Sequence, residues 1–244
     1  MNLILLEPHE LAGACVKLRD ERATHIREVL QAQPGESLRV GLLDGPRGTA
    51  TLTMLTADAM ELRCEWEKEI PPAPRADLLL ALPRPKVLRR LWAQLAALGV
   101  GRIALTNAAK VERNYFDTHV VQPATYRPLL LEGLQQAQDT RLPLVSVHKQ
   151  LKPLVEDRLD ELFPGTLRLL ADPAAHDSIA DKIPAEFSGR VLLAVGPEGG
   201  WTDFERELFA RHGFMGVGLG PRTLRTDTAC VALLANTHAA LSRQ

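Results

Sequence analysis

The stretch Val191-Leu-Leu-Ala-Val195 is followed directly by Gly196-Pro-Glu-Gly-Gly200, an apolar run that ends in a glycine-rich turn. A second short apolar run, further along the chain, leads into Leu219-Gly-Pro-Arg-Thr-Leu-Arg-Thr-Asp-Thr-Ala229. Both stretches are typical of turns between a strand and a helix, where backbone N–H and C=O groups are left unpaired. Two such turns close together in the chain indicate a site for a polar, flat ligand of the nucleotide kind.

The two turns lie in a segment where predicted strands and helices alternate. Apolar runs predict strands at 78–82, 102–106, 144–147, 166–171, 190–195 and 216–219. Helical periodicity predicts helices at 87–98, about 124–138, 151–162, 202–212 and 226–242. Thr202-Asp-Phe-Glu205 has the pattern of a capping box at the start of one of them. This alternation predicts an α/β domain with a mostly parallel sheet covered on both faces.

The part of the chain before this segment has a different pattern. Three prolines in Glu69-Ile-Pro-Pro-Ala-Pro-Arg-Ala-Asp77 disfavour helix and predict an extended linker. Alternating runs at 37–40, 50–54 and 59–64 predict strands, and a helix at 23–31 would place Ile26, Val29 and Leu30 on one face. We therefore expect a small β-barrel domain over 1–70 and an α/β domain over 71–244.

Charge is distributed unevenly although the formal net charge is only −1. Residues 71–150 hold 11 Lys and Arg against 5 Asp and Glu, whereas 1–70 hold 8 against 12 and 151–244 hold 10 against 13. A local basic region can direct one anionic partner without making the whole protein bind polyanions. The alternative is an ordinary solvated helix face.

Composition excludes several other classes of protein. No run approaches the ~18 apolar residues of a membrane span, and the first residues do not have the pattern of a signal peptide. Cys15, Cys64 and Cys230 are far apart and show no metal-ligand spacing, so we expect reduced thiols, no metal and a cytoplasmic protein. Neither a dinucleotide fingerprint, nor a phosphate-binding loop, nor a Gly-x-Ser-x-Gly elbow is present.

The second turn carries the strongest candidate chemistry. Arg222 and Arg225 flank the start of a helix that Thr226, Asp227 and Thr228 can cap. Arginines at this position can hold an anionic substrate or stabilise a developing oxyanion. Alternatively, they form surface ion pairs with Glu198, Asp203 or Asp227, and both turns are structural.

The two turns together resemble the cofactor loops of the RsmE family of SPOUT methyltransferases. Members of that family carry Gly-Pro-Glu-Gly-Gly followed by Leu-Gly-x-Arg-x-Leu-Arg-Thr-Glu-Thr-Ala. Lys86, Leu98-Gly-Val100, Glu112-Arg113 and His25-Ile-Arg-Glu-Val-Leu30 with Gly35 also match, so the resemblance covers nearly the whole chain. Three positions depart from the pattern: Asp227 replaces Glu, Asp139 stands where Arg is common, and Met1-Asn-Leu-Ile lacks basic residues.

The resemblance implies a trefoil-knotted methyltransferase domain, an N-terminal PUA-like barrel and a homodimer. It implies S-adenosylmethionine-dependent methylation of N3 of a uridine in the decoding region of 16S rRNA, on the small ribosomal subunit. Arg225 would stabilise the uracil anion, Arg222 would hold a phosphate, and Asp227 or water would take the proton. The cofactor would contact Leu170, Ala171, Gly196, Pro197, Glu198, Gly199, Gly200, Leu219, Gly220, Leu224, Arg225, Thr226 and Ala229. The RNA would contact Lys17, Arg19, Arg22, His25, Arg27, Lys86, Arg89, Arg113 and Arg222.

Two other functions fit the same sequence. One is a SPOUT methyltransferase that acts on another RNA nucleotide. The other is a non-catalytic RNA-binding or ribosome-assembly factor that has kept the fold. Binding of S-adenosylmethionine separates the second from the enzymes, and mapping of the modified nucleotide separates the first.

Overall fold

The computed structural model describes residues 3–56 and 58–242. Met1 and Asn2, which belong to the N-terminal stretch that lacks basic residues, therefore lie outside the described residues. The chain forms two compact units. The first comprises Met1–Ala73 together with Leu131–Leu142, and the second comprises Pro74–Leu130 and Pro143–Gln244. The short segment Leu131–Leu142 therefore packs with a part of the chain that is distant in sequence.

The first unit is built on a six-stranded sheet in the order β1-β4-β5-β6-β3-β2, with β1 and β2 at its edges. Only β1 and β4 pair in parallel, and the other neighbours are antiparallel. Buried aliphatic side chains of the strands form the core together with Ile26 of the helix. The elements are β1 (Ile4–Leu6), β2 (Leu11–Ala12), β3 (Cys15–Leu18), α1 (Glu21–Glu28), β4 (Ser37–Leu42), β5 (Arg47–Leu55) and β6 (Met60–Trp66).

Helix α1 is shorter at its C-terminal end than the sequence pattern indicates. Its N-cap Asp20 accepts a hydrogen bond from the backbone N–H of Arg22, and Ile26 is fully buried. The prediction that Val29 and Leu30 share the buried face is wrong, because the helix ends at Glu28 and Val29 is 65% exposed. Gln31 then adopts a positive φ of 53°, which turns the chain away from the helical path.

The second unit contains a six-stranded parallel sheet in the order β12-β10-β11-β7-β8-β9, which confirms the predicted α/β class. The central strands β7 and β11 are buried along their whole length, as is typical of parallel strands covered on both faces. The strands are β7 (Ala76–Ala81), β8 (Val100–Thr106), β9 (Leu144–His148), β10 (Leu167–Ala171), β11 (Val191–Val195) and β12 (Met215–Val217).

Helices connect these strands. They are α2 (Pro85–Ala97), α3 (Pro123–Ala137), α4 (Leu151–Pro153), α5 (Leu159–Leu162), α6 (Ile179–Lys182), α7 (Asp203–Arg211) and α8 (Thr226–Leu241). A π-helical turn, Leu154–Arg158, joins α4 to α5, and α6 is an element that the sequence pattern did not predict. Within the described residues no helix has the length and apolar character needed to cross a membrane.

Three neighbouring strands end at the same edge of this sheet. β10 pairs with both β11 and β12, all in parallel, so Ala171, Val195 and Val217 close their strands side by side. Ligands of open parallel sheets bind beyond the carboxyl ends of the strands. Both glycine-rich turns follow strands of this group, so the fold places them on the edge where a ligand site is expected.

Candidate cofactor and active site

A cavity of about 430 Å³ lies beyond the carboxyl ends of β10, β11 and β12. The predicted cofactor residues line it, with the exception of Leu170 and Arg225. Leu170 is buried within β10, and Arg225 is the exposed N-cap residue of α8. The loops after β11 and β12 thus form walls of the same cavity.

The loop after β11, residues 196–201, is packed closely around a tryptophan. Trp201 is only 4% exposed, and a Cβ at Gly196 would lie 3.1 Å from its indole ring. That distance is tighter than most real Cβ contacts, so a side chain at Gly196 would push against the ring. The indole Nε1 is buried and has no hydrogen-bond partner among the described residues. Trp201 also lines the cavity, so the packing of its indole against Gly196 helps to set the wall of the cavity.

The loop after β12 approaches another backbone segment closely. A Cβ at Gly218 would lie 2.3 Å from the carbonyl oxygen of Ala175, and the Gly218 N–H donates to Asp177 O at 2.9 Å. Only glycine permits that approach. Close backbone packing is therefore present beside the cavity.

Several charged side chains at the cavity have partners within the protein. The Glu198 carboxylate lies 3.0 Å from Arg84, and Arg206 pairs with Asp203 and lies 3.9 Å from Asp172. The Lys110 ammonium donates to the carbonyl oxygen of Gly199 at 2.7 Å. Cavity residues that the sequence pattern did not predict include Lys110, Asp172, Pro173, Trp201 and Arg206. The position of Asp172 directly after a strand was the available signal.

The two arginines of the second turn have no such partners. The carboxylates that could have paired with them are occupied: Glu198 by Arg84, Asp203 by Arg206 and Asp227 by Arg90. The side chains of Arg222 and Arg225 are exposed and, among residues 3–56 and 58–242, make no hydrogen bond or ion pair. Arg222 lines the cavity, and Arg225 stands three residues further on at the start of α8. Among the described residues, Arg222 is therefore a cation of the cavity lining without a counter-ion, and Arg225 is a second such cation in the same loop, outside the lining.

Asp227 is placed differently from the arginines. It lies in the first turn of α8, its Oδ2 accepts from Arg90 at 2.9 Å, and its Oδ1 accepts from the Thr228 N–H at 3.0 Å. A carboxylate in the first turn of a helix interacts favourably with the helix dipole. It is not among the residues that line the cavity. The Asp227 carboxylate is thus engaged in an ion pair and a hydrogen bond at the helix start, which is the arrangement of a structural residue and not of a free general base.

The residues expected to contact RNA fall into two groups. Arg27 donates to the Thr56 carbonyl at 3.0 Å, and Arg22 forms ion pairs with Glu10 and Asp20 and donates to Leu5 O at 2.9 Å. His25 is half-buried, with a buried Nε2 that lacks a partner among the described residues. The exposed side chains are those of Lys17, Arg19, Lys86, Arg89 and Arg113.

The environment of Arg22 is that of a structural ion pair. Hydrogen bonds from the guanidinium lower the pKa of both Glu10 and Asp20, although partial burial opposes the change. Burial would lower the pKa of Arg22 itself, but these two carboxylates raise it on balance. All three groups stay charged near neutral pH, and the pairs stabilise the folded state above the acid range in which the carboxylates protonate. Arg22 is thus engaged within the first unit.

Comparisons with known proteins identify the class of fold and site. The family model described as an RNA methyltransferase domain matches residues 71–238. The ribosomal RNA small subunit methyltransferase E of Treponema pallidum (strain Nichols) is 34% identical, and the match covers 98% of this chain and 92% of that protein. Ribosomal RNA small subunit methyltransferase E 1 of Borreliella burgdorferi is 25% identical, with 95% of both chains covered.

A solved structure shows the same fold. The crystal structure of a ribosomal RNA small subunit methyltransferase E from Neisseria gonorrhoeae bound to S-adenosyl methionine superimposes with a TM-score of 0.80 at 23% identity. The match covers 98% of this chain and 97% of that one. The chain is thus an RNA methyltransferase by class. It belongs to the family of ribosomal RNA small subunit methyltransferase E, the RsmE family whose loops it resembles.

Proposed function

We propose that this protein transfers the methyl group of S-adenosylmethionine to N3 of a uridine in the decoding region of 16S rRNA, on the small ribosomal subunit. The observation that carries the proposal is the pair of unpartnered arginines beside a glycine-walled cavity at the strand ends. Family membership supports the same reaction, and the related Neisseria gonorrhoeae structure contains S-adenosyl methionine.

The cavity has the features that an adenosine-containing ligand requires. A Cβ at Gly200 or at Gly220, which both line the cavity, would meet nothing within 4 Å, so the backbone there leaves room for a flat ring. Lys110 and Arg222 supply positive charge at the wall, and Asp172 and Glu198 supply acceptors. The residues therefore fit S-adenosylmethionine, which supplies an electrophilic methyl on a sulfonium when it is bound. The protein has to position the two reactants and exclude water.

The arginines act on the RNA side of the reaction. Uracil N3 carries a proton with a pKa of roughly 9 to 10, near that of a phenol, so this proton must leave close to the moment of transfer. Arg225 stabilises the resulting anion at the uracil oxygens, and Arg222 holds an adjacent phosphate. Because Asp227 is held by Arg90, water is the better candidate for the proton acceptor.

The remaining features concern RNA binding and assembly. We propose that 1–70 form a PUA-like, RNA-binding domain, and that 71–244 form the knotted methyltransferase domain of a cytoplasmic homodimer. The exposed cations Lys17, Arg19, Lys86, Arg89 and Arg113 support the RNA contact. The apolar side chains of Ala235 and Ala239 are exposed on α8, which supports a helix-mediated dimer contact. No cluster of metal-binding side chains was found among the described residues.

The test uses the purified protein with labelled S-adenosylmethionine and small ribosomal subunits from cells that lack this enzyme. The rRNA is then digested and the methylated nucleoside identified by mass spectrometry. N3-methyluridine at a single decoding-region position is the expected result. A different methylated nucleoside would show that the enzyme acts on another RNA nucleotide, which is the first of the two alternative functions. Absence of both transfer and cofactor binding would favour the non-catalytic RNA-binding function.

A further inference from the structure

A buried glutamate connects two loops at the edge of the cavity. Glu205, in the first turn of α7, is 4% exposed. Its Oε2 accepts from the backbone N–H and the hydroxyl of Thr202, both at 2.8 Å. Its Oε1 accepts from the backbone N–H of Ala109 at 2.7 Å. Ala109 belongs to the loop after β8, so this side chain does more than cap its own helix.

A second contact joins the same two loops from the opposite direction. Lys110, next to Ala109 in the chain, donates from Nζ to the carbonyl oxygen of Gly199 at 2.7 Å. A Cβ at Gly199 would lie 2.8 Å from Lys110 Cδ, so the lysine stem lies directly against the glycine loop. The loop after β8 therefore holds residues 199–205 at two points, one through a carboxylate and one through an ammonium.

The carboxylate is needed because three donors converge on it. A glutamine has a single acceptor oxygen, so it could satisfy Ala109 or Thr202 but not both, and its amide N–H₂ would face a donor. A buried polar group left without a partner is costly, so the loops would move to relieve it. Neither Glu205 nor the Ala109 N–H is among the groups that line the cavity, whereas Lys110 and Gly199 are.

We infer that Glu205 is a positioning residue for the methyl donor: it fixes the loop after β8 so that Lys110 holds the wall 199–200 of the cavity in its binding shape. The inference rests on the proposed function, because it assigns this cavity to S-adenosylmethionine. In this role Glu205 acts through Ala109 and Lys110. Its contacts with Thr202 belong to the capping box of α7 and are a separate, structural role of the Glu205 side chain.

The test compares E205Q with two control variants by calorimetric titration of S-adenosylmethionine. E207Q makes the same chemical change at an exposed glutamate of α7. T202A weakens the helix cap but keeps Glu205 Oε1, which accepts the hydrogen bond from the Ala109 N–H. We expect E205Q to raise the Kd about tenfold and both controls to change it less than about twofold. If T202A and E205Q raise the Kd equally, Glu205 is only a helix cap and the inference is overturned.

Two further measurements separate positioning from loss of stability. Hydrogen exchange of the unliganded protein should show faster exchange in 107–111 for E205Q, with E207Q like the wild type. In a double-mutant cycle with K110M, the combined effect on the Kd should fall short of the product of the single effects by about threefold or more. Independent effects, or unchanged exchange, would contradict the inference.

The outcome for the wild-type protein keeps the two proposals distinct. If the wild type does not bind S-adenosylmethionine, the proposed function fails and the inference fails with it. If the wild type binds and E205Q binds equally well, only the inference is overturned. If the wild type binds, E205Q binds weakly and the exchange of 107–111 rises, the positioning role is supported independently of any activity.

Discussion

The two glycine-rich loops of the cavity differ in how the protein holds them. The loop 196–201 is held by side chains at two positions: Lys110 donates to Gly199 O, and Trp201 packs against Gly196. The loop 218–225 is fixed at its start, where Gly218 meets Ala175, and its two arginines have no partner among the described residues.

This difference indicates a division of labour within one cavity. The first loop is held by the hydrogen bond from Lys110 to Gly199 O and by the packing of Trp201 against Gly196, so it can present a rigid wall to a ligand. Within the described part of the chain, the two guanidinium groups of the second loop have no counter-ion, although Glu198, Asp203 and Asp227 pair with other cations. Unsatisfied cations in a protein that offers acidic residues favour an anion from outside as their partner. We therefore assign the positioning of the cofactor to the first loop and the binding of negative charge on the substrate to the second.

The largest expected effect separates these two roles at Arg225. R225A should lower the rate of methyl transfer about 10²–10³-fold, as expected for loss of a group that stabilises a developing anion. The Kd of S-adenosylmethionine should change less than about twofold, because Arg225 does not line the cavity. Single-turnover transfer to small ribosomal subunits and calorimetric titration measure the two quantities. R211A, which removes an exposed arginine of α7, is the control, and equal rates for R225A and the wild type would remove the division of labour.

A smaller effect is expected where the second loop is tightly packed. G218A would place a Cβ 2.3 Å from Ala175 O, so the backbone has to shift. We expect a loss of roughly 1–3 kcal/mol in the free energy of unfolding, together with weaker cofactor binding. Urea denaturation measures the first and titration the second. G216A is the matched control, because its Cβ would meet Ala175 Cβ at an ordinary 3.4 Å. Equal stability of the two variants would show that the start of this loop is not constrained.

Local signals in the sequence predicted the framework of the site. The alternation of strands and helices predicted the parallel sheet that the structure contains. The glycine-rich turns line the cavity, and Thr202 and Glu205 form the predicted capping box at the start of α7. These signals depend on residues within a few positions of each other, so a single chain is enough to detect them. The unusual composition of the turns also carried the family resemblance that the comparisons confirm.

Contacts between distant segments could not be predicted in this way. Nothing near Lys110 in the sequence shows that its ammonium reaches the carbonyl oxygen of Gly199. The burial of Ile26 without Val29 depends on where α1 ends, which the tertiary packing decides. The ion pairs of Arg22 with Glu10 and Asp20 likewise depend on the folded arrangement of these side chains, and the sequence pattern did not indicate them.

A third prediction sharpens the comparison at the starts of the two following helices. Thr202 caps α7, whereas Arg225 stands at the N-cap of α8 with an extended backbone and no capping hydrogen bond. T202A should therefore cost about 1 kcal/mol of unfolding free energy, and R225S should gain several tenths to about 1 kcal/mol. R225S should at the same time lose methyl transfer as R225A does. A stabilised but inactive R225S would show that a functional cation occupies a position where stability favours serine. Thermal denaturation of both variants provides the check, and a destabilised R225S would contradict the argument.

The smallest expected effect concerns the ion pair beside the first loop. Arg84 is 66% exposed and lies 3.0 Å from Glu198, and exposed pairs of this kind contribute about 0–1 kcal/mol. R84Q should therefore leave the unfolding free energy nearly unchanged, and the midpoint of urea denaturation measures it.

The effect of R84Q on the cavity is expected to be larger than its effect on stability, because the Glu198 carboxylate lines the cavity wall and would lose its counter-ion. That carboxylate would become available to Arg222 or Arg225, so binding of rRNA should weaken by a few-fold at low salt and less at high salt. E198Q combined with R84Q should restore it. If R84Q binds rRNA as the wild type does, Arg84 is not required to keep the arginines of the second loop free.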